Sequence, residues 1–594
     1  MSEAKSNVET KQQQQSSSVS GGAQNVSLHD SDSSNEDEVL KRGKWENEFD
    51  FIFSLMSVTW GVSSFWRFPY LCYRSGGVVF IFIYMGTSLF IGIPILFQEL
   101  VMGQYLSSGG MTIVEQFCPI LKGAGISRMV LLILTNIYYA IIIVWALFYL
   151  LSSFTSIPDL PWSTCSGWWN TNSTCLDVTT KDARGNNIVQ DTDAYKTPME
   201  EFWQYRTLQL DKSNSSQYEL SRNGLVEGLG SLQWELFGLL LSVWIMVYLI
   251  VRKGACKSRI VIWITTLAPY VCLTILLVRA LTSPGASIGI YYLFYPEWRK
   301  LLDYNTWLRA FEQTIYTYHV GYGVIPTLAS YNKFHYNLFK GAVLSALLQM
   351  LSNVLACIFV FSIFGQLAYA QNTDISSIVD AGSKLAFVVI PQYLANLSGS
   401  VFWSIIFYIM IFTLMFRSQF YLVESLITGL SDNWPQYLRK HRTWFIVFIC
   451  SFMFLCGIPL CTQGGSYLLN LVDGALSIKA FLWVLFFQTL ALTFEARRFC
   501  NCIKEMTGSS PWIVMVLYWM VQAMNLFCII WFYRWNNVMY DYYQPAWLNY
   551  LGIIILISCL IWVPAYFIYY LVSRPFGLIR NLQIGIRANI PTRK

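Results

Sequence analysis

Two stretches of this sequence decide the fold: residues 57–69 read SVTWGVSSFWRFP, and residues 317–326 read TYHVGYGVIP. Each stretch interrupts an apolar segment with Gly, Ser or Thr before the apolar run resumes. Such clusters at membrane depth break helical hydrogen bonds, and a break survives only where it is buried in protein or lines a cavity. The pattern indicates two interrupted membrane helices around a site, with two glycine-tolerant packing kinks as the alternative.

The composition surrounding these stretches is that of a polytopic membrane protein. Charged residues make up 12% of the 594 residues and hydrophobic residues 55%, whereas a soluble domain carries about 25% charged residues. Crossing a bilayer takes about 20 apolar residues. Twelve runs of sufficient length are predicted at 49–73, 77–105, 128–154, 234–252, 259–281, 307–330, 338–368, 400–429, 443–461, 467–493, 511–534 and 547–573.

The interrupted runs are the first and the sixth, which are the corresponding first helices of two five-helix halves. This placement predicts a transporter built from inverted repeats with its substrate site at the midplane. The expected fold is an all-α polytopic membrane protein with twelve transmembrane helices, a 5+5 inverted repeat, and helices 1 and 6 broken at the midplane.

The polar ends of the chain are predicted to be tails. Residues 1–47 are rich in Ser, Gln, Asn and Asp, so they cannot bury a core and are expected to form a disordered cytoplasmic tail. They contain no apolar signal segment, and the first membrane helix is therefore expected to act as the signal. Residues 48–573 form the predicted transporter domain, and 574–594 a cytoplasmic C-terminal tail.

Basic residues in the short loops predict the orientation. Four clusters fall on the side of both termini, which is therefore predicted to be cytoplasmic. The clusters lie at 41–44, 252–259, 439–442 and 497–504. The long polar stretch 155–233 is then extracellular, and the protein is predicted to be a multi-pass plasma-membrane protein.

The predicted extracellular stretch carries a cysteine pair and two glycosylation acceptors. Cys165 and Cys175 enclose Asn172 of an Asn-Ser-Thr sequon, and Asn214 begins an Asn-Ser-Ser sequon. A disulfide and glycans both need an oxidising lumen, so the two signals support each other. The alternative is a pair of free thiols beside chance sequons.

No constellation for catalysis stands out. The sequence contains four histidines and no recognisable metal-ligand cluster, phosphate-binding Gly loop or nucleophile with a base partner. We therefore expect no enzyme, no cofactor and no nucleic-acid partner. The expected partners are a small-molecule substrate and the lipid bilayer, and the sequence makes no prediction of oligomeric state.

Several motifs resemble those of the sodium- and chloride-dependent neurotransmitter and amino acid symporters. They are WRFPY at 66–70, ELVMGQ at 99–104, PW at 161–162 beside the cysteine pair, and ASYNKF at 329–334. They occur in the family's order, and the resemblance runs from about residue 41 to 575. It implies twelve helices and alternating access to a central site, with Na+ and Cl− as possible coupled ions.

The resemblance also implies two gates. Arg67 matches the cation of an extracellular gate whose acid is Asp473. On the cytoplasmic side the matching residues are Arg42 and Trp45, with Asp432 as the acidic partner and Tyr331 as a supporting tyrosine. For each charged residue the alternative is a snorkelling or surface charge.

Residues implied in substrate binding are Gly61, Tyr139, Tyr316, His319, Tyr322, Ser418 and Leu422. Tyr139 matches a tyrosine that holds a substrate carboxylate. Gly61 stands where amine carriers of the family have Asp, which favours an amino acid or related zwitterion over a monoamine. His319 is unusual in a membrane interior; it is either a structural histidine or a hydrogen-bonding, proton-linked group.

The implied ion sites depart from the family pattern. At the first sodium site the ligands would be Ser64, Thr317 and Gln349, which all keep an oxygen. At the second site, formed by Ser57, Thr59 and Trp60 of the first helix, the helix-eight ligands are replaced by Arg417 and Ser418. Arginine has five donors and no acceptor, so it cannot ligate sodium.

Arg417 is therefore interpreted as a built-in counter-cation; the alternative is that its side chain points elsewhere. The chloride-like positions are Tyr84, Gln313, Thr317, Gln349 and Asn353, and they leave chloride coupling undecided.

Three functional hypotheses remain open. The first is a symporter for amino acids or small zwitterions. The second is a sodium-independent carrier in which Arg417 replaces an ion. The third is a transport-inactive relative that senses substrate or acts as a membrane subunit.

Overall fold

The computed structural model describes residues 43–171, 175, 196–210, 229–379, 382–476, 478–494, 496–508, 519, 522, 546–575 and 577–587. Several predictions lie outside these residues. They concern the N-terminal tail up to Arg42, the two glycosylation acceptors Asn172 and Asn214, and nearly all of the predicted span 511–534.

The described chain is helical, and its elements are labelled in chain order. The helices used below are α1 (Glu48–Thr59), α2 (Ser63–Arg74), α3 (Val78–Leu106), α4 (Pro119–Thr155), α5 (Trp234–Lys253), α6 (Arg259–Leu281), α7 (Tyr304–Tyr318), α8 (Val324–Ala329), α9 (Leu338–Gln371), α10 (Ser400–Asn433), α11 (Arg442–Cys461), α12 (Gly465–Thr493), α13 (Ala496–Thr507), α14 (Ala546–Leu560), α15 (Trp562–Val572) and α16 (Leu578–Ile586). Shorter helical turns lie at Thr112–Phe117, Pro198–Glu201, Phe202–Thr207, Ala286–Phe294, Trp298–Leu302, Ile375–Ile378, Leu385–Val389, Ile390–Ala395 and Pro435–Leu438.

Within the described residues, eight helices, α3 to α6 and α9 to α12, are long and apolar enough to cross a membrane. A ninth span is α14 with α15, bent by 42°. The pairs α1/α2 and α7/α8 are the two interrupted spans. The described residues form no sheet, only isolated bridges such as Leu232–Thr462. The all-α membrane class is confirmed; the inverted repeat stays a prediction.

The helices pack around a large apolar core with members from Trp45 to Cys559, and a smaller apolar cluster includes Val114 and Tyr570. In the large core α4 packs on α10, and α1 packs on α6, α9 and α10. Large apolar side chains on the outer faces, such as Phe82 and Ile264, stay exposed, as expected where a helix faces lipid rather than water. The two interrupted spans therefore lie inside a helical shell.

Two predictions about local structure are decided by side-chain contacts. Cys165 and Cys175 are joined by a disulfide, as the loop sequence predicts. Helix α4 begins at Pro119 rather than at the predicted residue 128. The charge of Arg128 does not end the helix, because its guanidinium is fully buried and paired with Glu99.

Candidate functional site

The first break leaves a main-chain oxygen without a helical partner. Helix α1 ends at Thr59, and Trp60 is extended, with φ −98° and ψ 95°. The amide of Ser64 donates to the carbonyl of Gly61 rather than to that of Trp60. The indole of Trp60 is fully buried against Tyr270 of α6, 4.0 Å between ring centroids. The Trp60 carbonyl is thus an acceptor that some other group must satisfy.

The second break is a left-handed turn between α7 and α8. Gly321 and Gly323 have φ of 86° and 81°, and His319 has φ of 50°. Glycine adopts such values at little cost, whereas a histidine there is strained. The turn holds the His319 side chain at a helix end, where its ring projects toward the other break.

A buried ion pair binds the main chain of the second break. Glu99 of α3 accepts from the amide of Gly321 at 2.9 Å and from Gln488 at 3.0 Å. Arg128 of α4 donates to the Gly321 carbonyl at 3.0 Å and to Gly110 at 2.9 Å. The two charges lie 3.8 Å apart with no exposed side-chain surface. Neither residue has a role predicted from the sequence, although a charged residue inside an apolar run is a signal of function.

The two breaks face each other through Gly61 and His319. A Cβ built on Gly61 would lie 3.8 Å from His319 Cε1. His319 Nδ1 lies 3.3 Å from the Thr317 carbonyl, and a carbonyl only accepts, so Nδ1 carries the proton. In the neutral imidazole Nε2 then bears the lone pair, and no described residue donates to it.

Aromatic rings form the wall beside His319. Tyr322 lies 5.4 Å from the imidazole and 4.2 Å from Phe481, between ring centroids. Phe481 also contacts Tyr316, whose ring lies 4.3 Å from the guanidinium of Arg67. Phe481 is missing from the sequence-based set because nothing distinguishes it within the apolar run of α12.

The remaining predicted substrate residues lie on α4 and α10. Tyr139 is half-buried and lies beside Ser418. The hydroxyl of Ser418 donates back to the Leu414 carbonyl at 3.1 Å. Leu422 is buried one helical turn further along α10. Among the predicted lining residues none carries a carboxylate.

Arg417 reaches the carbonyl at the first break. Its Nη2 donates to Trp60 O at 2.5 Å, and its Nη1 donates to Thr265 O of α6 at 3.3 Å. Its carbon Cζ lies 5.4 Å from the Trp60 ring centroid. The hydroxyls predicted around it turn to other acceptors: Ser57 donates to Phe53 O at 2.7 Å, and Thr59 Oγ1 lies 3.4 Å from Met56 O.

Four residues of the first sodium site and the chloride-like site form one buried network: Ser64, Tyr84, Gln349 and Asn353. Ser64 and Gln349 donate to Asn353 Oδ1 at 2.6 and 3.0 Å. Asn353 Nδ2 in turn donates to Tyr84 at 2.8 Å.

A second buried pair belongs to the same region. Gln313 Nε2 donates to Thr317 Oγ1 at 3.2 Å. The amide oxygens of Gln313 and Gln349 are both buried without a hydrogen-bond donor.

The predicted gate residues contact one another at the N-terminal end of α1. We call this side of the protein the tail side. Trp45 is buried, and its amide and indole donate to Tyr331 O and Leu328 O at 2.9 and 3.0 Å. The Tyr331 hydroxyl donates to Glu424 at 3.2 Å, and Glu424 pairs with Arg442 at 3.0 Å.

Asp432, predicted as the partner of Arg42, accepts from the Gly109 amide and pairs with Arg439 at 2.6 Å. Arg42 itself lies outside the described residues.

On the opposite side, which carries the disulfide, the predicted gate pair does not meet. Arg67 lies 3.6 Å from Glu312, and no ion pair joins it to Asp473. The Arg67 side chain is 30% exposed, and Asp473 is exposed as well. The predicted gate residues on the tail side are therefore in contact, whereas Arg67 and Asp473 on the disulfide side are not joined by an ion pair.

The sequence also matches known proteins over most of its length. The profile of the sodium:neurotransmitter symporter family covers residues 42–574. The chain is 34% identical to a sodium- and chloride-dependent GABA transporter 2 of Rattus norvegicus over 90% of its length and 87% of that protein. It is 35% identical to a sodium- and chloride-dependent taurine transporter of Bos taurus, over 88% of the chain and 84% of the relative.

A sodium- and chloride-dependent glycine transporter 2 of Xenopus laevis is 31% identical, over 92% of the chain and 72% of that protein. Together with the helical shell and the two facing breaks, these matches show that the chain belongs to the sodium:neurotransmitter symporter family, whose members are multi-pass membrane transporters.

Proposed function

We propose that this protein is a plasma-membrane symporter that moves an amino acid or related small zwitterion by alternating access, with both termini in the cytoplasm. The observation that carries the proposal is the asymmetry around the two breaks. Trp45 and Tyr331 interlock on the tail side, whereas Arg67 and Asp473 stay apart on the disulfide side. A midplane site that opens to one side at a time is what alternating access requires.

The charge of the site supports a zwitterionic substrate. Gly61 provides no acid to neutralise a bare amine; Glu312 and Asp473 lie near Tyr316 and Arg67, on the disulfide side. The amide groups exposed by a broken helix favour an anionic group. Relatives named for GABA, glycine and taurine point to the same class, because each of those molecules has both an ammonium and an acidic group.

His319 supplies an acceptor for the ammonium end of such a substrate. Its Nδ1–H faces Thr317 O, which leaves Nε2 as the acceptor of a ring whose Cε1 lies nearest Gly61. A neutral imidazole attracts an ammonium less strongly than a carboxylate would, and it does not repel the substrate's own carboxylate. His319 is thus proposed to replace, in weaker form, the acid that is missing at Gly61.

The first ion site supports coupling to sodium better than coupling to chloride. The buried amide oxygens of Gln313 and Gln349 lack donors, which is costly unless a cation meets them. Sodium is a hard cation that takes oxygen ligands. Each side-chain amide that could face a chloride ion already donates one N–H within the network around Asn353 and Thr317.

Uptake of a labelled mixture of amino acids and GABA-like zwitterions into cells that express this protein tests the proposal. External sodium is present or replaced by choline, and surface protein is quantified by biotinylation. We expect uptake above that of untransfected cells, reduced in choline. Absence of uptake in both media, with the protein at the surface, would overturn the transport proposal for this substrate class. Uptake that persists in choline would overturn sodium coupling alone.

A further inference from the structure

Arg417 is a buried cation whose described surroundings contain no carboxylate within salt-bridge distance. Its side chain is 2% exposed on α10. Its contacts are two main-chain carbonyls, of Trp60 and Thr265, and the face of the Trp60 indole. A buried charge without a counter-ion is costly, so its surroundings must compensate for that cost.

The compensation comes from the end of a broken helix. The C-terminal end of α1 carries unpaired carbonyls and the negative end of the helix dipole. Trp60 O, at 2.5 Å from Nη2, is the carbonyl left without an amide partner by the break. The guanidinium thus satisfies an acceptor that the interrupted backbone exposes, and the break in turn stabilises the charge.

Carbonyls at such a break are also suited to a small metal cation. Unwound carbonyls and half-helix C-terminal ends coordinate sodium in transporters with broken helices. Here the guanidinium already lies against the Trp60 carbonyl, and the nearby hydroxyls of Ser57 and Ser418 donate to carbonyls of their own helices. A sodium ion placed at Trp60 O would meet a fixed positive charge in a poorly screened interior.

We propose that Arg417 is a permanent, tethered cation that occupies the position of a metal cation at the first break. Its side chain links α10 to the end of α1 and to α6. The inference rests on the proposed transport function and deepens it. The protein then binds at most one sodium ion, at the network of Ser64, Thr317 and Gln349. Because a tethered cation cannot leave, α1 can separate from α10 only when the bond from Arg417 to Trp60 O breaks.

Sodium stoichiometry tests this inference without depending on transport. The probe is radioactive sodium, measured at equilibrium on purified full-length protein in lipid nanodiscs. We expect at most one ion per wild-type chain. In R417S, which removes the guanidinium and adds a hydroxyl beside Ser418, we expect one additional ion per chain. The matched variant R417K keeps the positive charge and is expected to bind as the wild type does.

The outcomes distinguish a failure of the Arg417 inference from a failure of the proposed transport function. Two sodium ions per wild-type chain would overturn the inference even if no variant can be purified. Equal stoichiometry in folded R417S and R417K would overturn it as well. No sodium on the wild type but one on R417S would uphold the tethered cation and overturn the proposed first sodium site. Absent amino acid uptake would overturn the transport proposal while leaving the stoichiometry decisive.

Discussion

The two helix breaks of this protein are stabilised in opposite ways. At the first break a single buried cation, Arg417, lies against the carbonyl of Trp60 with no acid beside it. At the second break Glu99 and Arg128 form a buried pair that binds the amide and the carbonyl of Gly321. One break is stabilised by a net charge and the other by a neutral pair. The first break therefore adds a net positive charge to the interior, and the pair at the second break adds none.

The largest effect is expected from breaking the neutral pair. In R128M the carboxylate of Glu99 stays buried without its partner, which costs about 3–5 kcal/mol of stability. We expect a large drop in the thermal unfolding temperature of the purified protein and little protein at the cell surface. The matched control is R206Q. It removes an ion pair with Glu235 that lies at the surface and costs about 1 kcal/mol or less. Equal stability of R128M and R206Q would show that the second break does not depend on the pair.

A charge introduced at the first break should affect substrate choice next most strongly. Gly61 has room for a Cβ, which would lie 3.8 Å from His319. The carboxylate of G61D would repel a substrate carboxylate at a cost of several kcal/mol. Zwitterion uptake is expected to fall about 100-fold or more, while tyramine or dopamine becomes a ligand in competition assays. G61A is the control and should keep most uptake; if G61D transports zwitterions normally, Gly61 does not face the substrate.

A smaller effect is expected at His319 on the second break. Removing an acceptor for a charged group costs about 1.5–3 kcal/mol, so H319A should weaken substrate affinity by about 10- to 100-fold. H319Q shares the strained backbone but keeps an acceptor oxygen, so it should retain much more affinity. Comparing KM values for uptake at equal surface expression distinguishes a hydrogen-bonding role from a structural one, for which both variants would suffer alike.

The smallest effect is expected for the contacts of Arg67 on the disulfide side. The pair of Arg67 and Glu312 is partly exposed, so its coupling in a double-mutant cycle should be about 0.2–1 kcal/mol, or up to about fivefold in uptake. The first double-mutant cycle combines R67Q with E312Q. A second cycle combines R67Q with D473N. Stronger coupling in the second cycle would mean that Arg67 leaves Glu312 for Asp473 when the disulfide side closes.

The breaks themselves could be predicted because they are local. Gly, Ser and Thr inside apolar runs weaken a helix wherever it packs. The interruptions at 60–62 and 319–323 therefore fall within the predicted stretches 57–69 and 317–326. Glu99 and Arg128 were not paired beforehand, because they lie on different helices, 29 residues apart. The contact of Arg67 with Glu312 is not predicted either, because the family pattern pairs Arg67 with Asp473. The distance between α2 and α7 cannot be read from the sequence of either helix.

The sequence by itself determined the class of this protein: twelve long apolar runs and too little charge for a water-facing surface require a helical membrane protein. It also determined that residue 417 cannot ligate a metal, since a guanidinium has no acceptor. Only the tertiary structure decided what that guanidinium touches, because Trp60 O is 357 residues away in the chain. A shift of a few ångströms in the packing of α1 against α10 would decide whether Arg417 contacts a carbonyl, a substrate or lipid. That packing results from many side-chain contacts, which no short motif encodes.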